Sequence, residues 1–126
     1  MKTLPYAVRL GITHHRDSRG APYCTMPPGL HVEGRTSYLH GGAIAGLLEI
    51  ASYVAMEYAL EADETGEVKP ISVSVDYMRN GNMVETFAQG RLLRIGSRIA
   101  NVTAEAWQDD RERPIAMARM LFSLRR

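Results

Sequence analysis

Apolar residues recur along this chain with two different periods. From Gly41 onward, GGAIAGLLEIASYVAMEYALEAD contains no proline, and its length suits a helix of about five turns. At about 100° per residue, Ile44, Leu47, Leu48, Ala51, Val54, Ala55 and Tyr58 share one side, which makes it a core face. The opposite side holds Gly42, Ala45, Gly46, Glu49, Tyr53, Met56 and Leu60, not the charged stripe that an ordinary amphipathic helix turns to water. The pattern predicts a helix buried nearly all round, wrapped by a sheet on one side and covered on the other, for instance by a second subunit. Charges resume at Glu57, Glu61, Asp63 and Glu64.

Beyond the helix the period falls to two. Ile71, Val73, Val75 and Tyr77 alternate with Ser72, Ser74 and Asp76, the mark of a half-buried strand ending near Arg79-Asn80-Gly81. Further strands are predicted around Glu85–Arg94 and Arg98–Gln108, joined through Ile95-Gly96-Ser97, and around Pro114–Leu124 after a turn at Asp109-Asp110. Together they read as an antiparallel meander. Ahead of the helix, Tyr6–Thr13 and Pro22–Met26 are expected to pair as strands across the Asp17-Ser18-Arg19-Gly20 turn. Strands, one long buried helix and more strands give an α+β domain with an antiparallel sheet curled around the helix.

At 126 residues, 45% of them hydrophobic, the chain suits one compact domain over 1–126 with a full core, and is too short for two. Its 15 basic and 14 acidic residues nearly cancel, which argues against a nucleic-acid backbone or an anionic membrane as partner. Cys24 is the only cysteine, so an intrachain disulfide and a thiolate zinc cage are excluded and a reducing cytoplasm is the expected location. The opening MKTLPYAVRL is broken by Pro5 and Arg9 before an export or spanning segment is complete.

Candidate chemistry concentrates where the helix begins. Leu39-His40-Gly41-Gly42 stands at its start, and Glu49 follows seven residues after Gly42. Two glycines let a ligand approach the backbone, and the first helical N–H groups lack intrahelical partners. A thioester carbonyl set against the N–H of Gly41 or Gly42 would be polarised, and its developing oxyanion would be stabilised by hydrogen bonding and by the helix dipole. Glu49 lies two turns on, on the same side as Gly42 and Gly46, whose small side chains are expected to leave room for a substrate. Burial without partners would disfavour the charged carboxylate, the tuning that suits a general base near neutral pH. Activation of water and direct attack on the carbonyl both remain open. Residue by residue a plainer reading competes: a tight helix entrance, a local histidine hydrogen bond and a structural glutamate.

His40-Gly41-Gly42 followed by Glu49, a strand ending Asp76-Tyr77-Met78-Arg79 and a Gly96-Ser97-Arg98 hairpin together resemble the hotdog thioesterases related to phenylacetate-pathway enzymes. The resemblance runs from about Gly29 to the C-terminus. It implies a hotdog fold, with Glu49 as nucleophile or general base and the Gly41 N–H on the thioester oxygen. It also implies an acyl-CoA substrate and a homodimer or homotetramer with active sites at subunit boundaries. Coenzyme A would be part of the substrate, so no cofactor is expected. The chain departs from that pattern at Glu33-Gly34, where many relatives carry Asn or Gln. It departs again at Tyr53 with Ser52 beside it, where some place a Ser or Thr that orients water, and at Pro70, where a hydroxyl residue is common.

Arg79, Arg94 and Arg98 are candidates for the phosphates of coenzyme A, with Tyr53, Gly96 and Ser97 as further substrate contacts. His14-His15, His31 and Cys24 match no metal-binding spacing. Two other functions compete with hydrolysis. One is a domain that binds acyl-CoA without turning it over. The other is a hotdog hydratase or dehydratase, whose extended histidine signature is missing here.

Overall fold

The computed structural model describes residues 4–60 and 67–125. Its elements are α1 (Pro5–Leu10), β1 (Thr13–Arg16), β2 (Pro22–Met26), a 3-10 turn (Leu30–Val32), α2 (Gly41–Leu60), β3 (Glu67–Tyr77), β4 (Thr86–Ile95), β5 (Ile99–Trp107) and β6 (Ala116–Arg125). Among the described residues six strands form one antiparallel sheet in the order β1-β2-β4-β5-β6-β3, with α2 lying along its inner face. The predicted meander holds for β4, β5 and β6. It fails for β3, which pairs along its whole length with β6 rather than with β4.

Small side chains let the sheet come close to the helix. The inner positions of β4, β5 and β6 include Ala88, Ala100, Ala104, Ala106, Ala116 and Ala118, all buried. At Gly90 the approach is closest: a Cβ there would lie 2.7 Å from the carbonyl oxygen of Ala51 and 2.9 Å from the Cβ of Ala55. Larger residues fill the two ends. Leu47 and Leu48 pack toward Met26, Val32 and Ile115, while Met56 and Leu60 pack with Val102, Phe122 and Leu124.

The expected core face of α2 is buried at Ile44, Leu47, Leu48, Ala51, Val54 and Ala55, with Tyr58 half-buried. Gly46, Met56 and Leu60 on the other side are buried too. What stays open is a stripe: Gly42 is exposed, and Ala45, Glu49, Tyr53 and Glu57 are half-buried. The expected continuation of the helix through Glu61 and Asp63, and the charge at Glu64, lie outside the described residues.

The segment expected as a strand from Tyr6 to Thr13 is instead helical up to Leu10, and β1 covers Thr13–Arg16. Local punctuation accounts for this. Pro5 occupies the first helical turn, where its missing N–H costs nothing, and Gly11 closes the helix at φ +74° with its N–H on the Ala7 and Val8 carbonyls. Ala7 and Leu10 face inward. The predicted alternation of β3 is present as a strand, but of its apolar side only Val75 packs on the core: Ile71 is 53%, Val73 41% and Tyr77 54% exposed. The strand lies at the sheet's edge, where α2 covers little of it.

Candidate active site

His40 caps the helix. Its carbonyl accepts the N–H groups of Ala43 and Ile44, at 3.0 and 3.1 Å, and its ring Nδ1 accepts the N–H of Gly42 at 2.8 Å. A ring nitrogen here does what a Ser or Asp oxygen usually does at an N-cap. Because Nδ1 accepts, the neutral ring carries its proton on Nε2. Gly42 is what admits the ring, since a Cβ there would sit 2.9 Å from Nδ1. Of the two backbone donors suggested by the sequence, Gly42 is therefore already engaged. The Gly41 N–H meets no acceptor among the described residues.

A cleft of about 660 Å³ opens against this helix start, lined by His40, Gly41, Ile44 and the turn from Tyr77 to Gly81, with Gly34 and Arg35 on the other wall. Tyr77 donates its hydroxyl to the Gly41 carbonyl at 2.9 Å, tying the end of β3 to the first residue of α2. Arg79 lines the same cleft and donates Nε to the Pro114 carbonyl at 3.2 Å, which fixes its stem. Tyr77 and Arg35 were not singled out by sequence reasoning. Tyr77 reads there only as a strand position within Asp76-Tyr77-Met78-Arg79, and nothing in the local pattern distinguishes Arg35.

Glu49 is elsewhere. A straight helix rises about 1.5 Å and turns about 100° per residue, so Glu49 stands about 12 Å along the axis from Gly41 and is rotated by about 80°. The room expected beside it at Gly46 is taken. A Cβ at Gly46 would meet Tyr6 Cε2 at 2.8 Å and Leu10 Cδ1 at 3.0 Å, so this glycine seats α1 rather than a substrate.

Tyr53 follows one turn later and packs near Phe122, with ring centroids 6.5 Å apart. Burial raises the pKa of its hydroxyl, and the neighbouring Glu57 carboxylate adds to the effect. Glu57 Oε1 is buried and finds no hydrogen-bond partner among the described residues. Ser52, fully buried, turns its hydroxyl back onto the Leu48 carbonyl at 2.9 Å and is not placed to orient water.

Gly96, Ser97 and Arg98 form the β4–β5 turn, and the Arg98 carbonyl accepts the N–H of Leu124. This turn belongs to the end of the sheet that packs against the last turns of α2, the opposite end from His40 and Gly41. Arg94 stands just before it. One chain therefore brings together His40, Gly41, Gly42 and Arg79, and separates them from Glu49, Tyr53, Gly96, Ser97 and Arg98. Glu33 binds the Ser37 N–H within its own loop at 2.9 Å, and Gly34 lets that loop press on His40, where a Cβ would lie 2.9 Å from the His40 Cα. Pro70 stands at a register shift in edge strand β3, a place where a missing N–H is tolerated. Among the described residues no group of three or more His, Cys, Asp or Glu comes together.

A long helix held in a curled antiparallel sheet, with its glycine-led start opening on a cleft, defines a hotdog-fold protein. Within that class, residues 33–123 match the family model described as the acyl-CoA thioesterase N-terminal domain, and the chain belongs to this family of thioester hydrolases. Solved structures agree on the fold. A Chromobacterium violaceum protein is 35% identical with a TM-score of 0.76, the match covering 98% of this chain and 85% of that one. A Bacillus halodurans protein crystallised with CoA is 18% identical at TM-score 0.85, covering 98% and 80%. A phenylacetic acid degradation-related protein from Ralstonia eutropha is 18% identical at TM-score 0.81, covering 97% and 92%. No curated protein matches the chain.

Proposed function

We propose that this protein hydrolyses an acyl-CoA thioester to the free acid and CoA, in a site assembled from two copies of the chain. The observation that carries this reading is the Gly41 N–H, unengaged among the described residues, at the start of a 20-residue helix on the wall of a cleft that Arg79 also lines. A carbonyl oxygen placed on that donor gains from the hydrogen bond and the helix dipole as it becomes an oxyanion. Arg79 and Arg35 at the cleft suit the phosphates of CoA.

Glu49 supplies the carboxylate, as general base to water or as nucleophile. Either role needs it within hydrogen-bond reach of the water, or about 3–3.5 Å from the carbonyl carbon. The 12 Å offset along α2, with α1 seated on Gly46 between the two residues, favours pairing the Gly41 of one copy with the Glu49 of another. Two features support a second copy. One is the open stripe from Gly42 to Glu57, and the other the long exposed edge of β3. Antiparallel pairing of two β3 edges would join their open backbone groups and bring Val73 and Tyr77 of the two copies side by side, and two such dimers would make a tetramer. The same assembly gives Gly96, Ser97 and Arg98 a way to reach a site that their own chain holds at its far end. In this reading no cofactor takes part, and CoA leaves as product.

Free-thiol release measured across an acyl-CoA panel tests the proposal. Turnover that falls at least a hundredfold in Glu49→Gln is the expected result, while unchanged turnover removes Glu49 from the mechanism. Tight acyl-CoA binding with no hydrolysis of any panel member would instead make the protein a ligand-binding domain.

A further inference from the structure

A second cavity lies away from the helix start. It has a volume of about 450 Å³ and sits behind α1, between that helix, β1 and the middle of α2. Its walls are aliphatic: Leu4, Ala7 and Val8 from α1 and the residue before it, Ile12 from the following loop, and Ile50 and Val54 from α2. Cys24 also lines it, with a thiol fully shielded from solvent, and His14 is the other ionisable side chain on its wall. None of these residues borders the cleft at His40 and Gly41.

The volume falls within the range of about 300–1,000 Å³ typical of small-molecule sites. It equals roughly fifteen water volumes, and water held against such walls would find few hydrogen-bond partners. A peptide segment is a poor occupant, because its backbone N–H and C=O groups would need partners that an aliphatic wall does not supply. No Phe, Tyr or Trp is among the lining residues, so apart from the small His14 imidazole a flat ring system has nothing to stack on. Val8, 62% exposed, forms part of the rim.

We propose that this cavity binds an unbranched aliphatic chain, either the acyl group of a CoA thioester or a free fatty acid. The site does not depend on Glu49 or on turnover, so it stands or falls separately from the hydrolytic reading. Each methylene buried in such a wall tightens binding by about fourfold until the cavity is full, after which the gain stops.

The test is calorimetry on the full chain carrying Glu49→Gln, with two ligand series of increasing length: straight-chain alkanoates and non-hydrolysable S-alkyl-CoA thioethers. The expected result is a Kd that falls about fourfold per methylene and then levels. Val54→Phe, which adds volume inside the cavity, should move the plateau to shorter chains. Val8→Trp, at the exposed rim, should weaken long-chain binding at least tenfold without touching the core. A gain in both series identifies a site open to free fatty acid, and a gain in the CoA series alone identifies the acyl group of the substrate. A Kd independent of chain length in both series overturns the proposal. So does a length profile unchanged in both folded variants.

Discussion

If the carbonyl polariser and the carboxylate come from different chains, two inactive variants should repair one another. Gly41→Pro removes only the donor in question. Proline is well tolerated at the first helical residue, and an N-cap residue typically takes the extended backbone that a following proline requires. Glu49→Gln keeps the shape of the side chain and removes its charge. Loss of one oxyanion donor costs about 10²–10³ in kcat, and loss of a general base about 10²–10⁴. Each pure variant should therefore be nearly silent. Unfolded together in equal amounts and refolded, they should give about one half heterodimers. In a heterodimer one site receives Gly41 and Glu49 intact, while the other receives both lesions. About a quarter of wild-type activity should return, read as free-thiol release with heterodimer formation verified by native mass spectrometry. Heterodimers no more active than their parents would mean that both groups act within one chain, against the 12 Å offset along α2. Full activity in either pure variant would remove that residue from the mechanism.

Other consequences are simpler to measure. Gly90→Ala drives a methyl into the Ala51 carbonyl and the Ala55 side chain, and overpacking of this kind costs about 1–3 kcal/mol. With about 2.1 cal/mol/K of unfolding entropy per residue, the melting temperature should drop by about 4–12 °C, and an unchanged melt would mean that α2 is not so close to β4. His40→Ala removes the side-chain cap of Gly42 and should destabilise the chain by about 1 kcal/mol in urea, whereas His40→Asn, which can still cap, should lose much less. Burial pushes the Cys24 thiol up from 9.0 to about 12. The unfolded thiol thus ionises first, and the folded state holds its proton longer. This contribution to stability is full below pH 9 and is lost at up to about 1.4 kcal/mol per pH unit as the pH rises toward 12. Cys24→Ala should flatten that slope in denaturation curves, and parallel slopes in the two proteins would contradict the burial of the thiol.

The parts of the fold that depend on local period were readable in advance. α2 has the length and near-continuous apolarity of a buried helix, and β5 and β6 alternate along their length, with β4 doing so over its first residues. Partner choice over long distance was not readable. Nothing in Ile71–Tyr77 says that the strand joins β6 at the far edge, or that most of its apolar side is left for another surface. The helix α1 was missed although Pro5 and Gly11 mark its ends, because six residues give too few turns for a period to emerge. At the candidate site, Gly41 and Glu49 were visible as residue types two turns apart on one helix, but which chain each serves is not written in a single sequence. The uses of Gly42 and Gly46, admitting the His40 ring and seating Tyr6, arise from contacts that exist only in three dimensions.

Pro70 and the register shift beside it bear on how far this sheet can grow. A strand template is only as long as its run of regular backbone donors and acceptors, and the break between Pro70 and Ser72 shortens the usable part of β3 to the run from Ser72 to Tyr77. Two copies joined there consume that template on both sides. The composite sheet then ends at β1 on each flank, a strand of four residues. A template that short gives an incoming chain little to hold, so strand addition would stop at the pair instead of running on into a fibre.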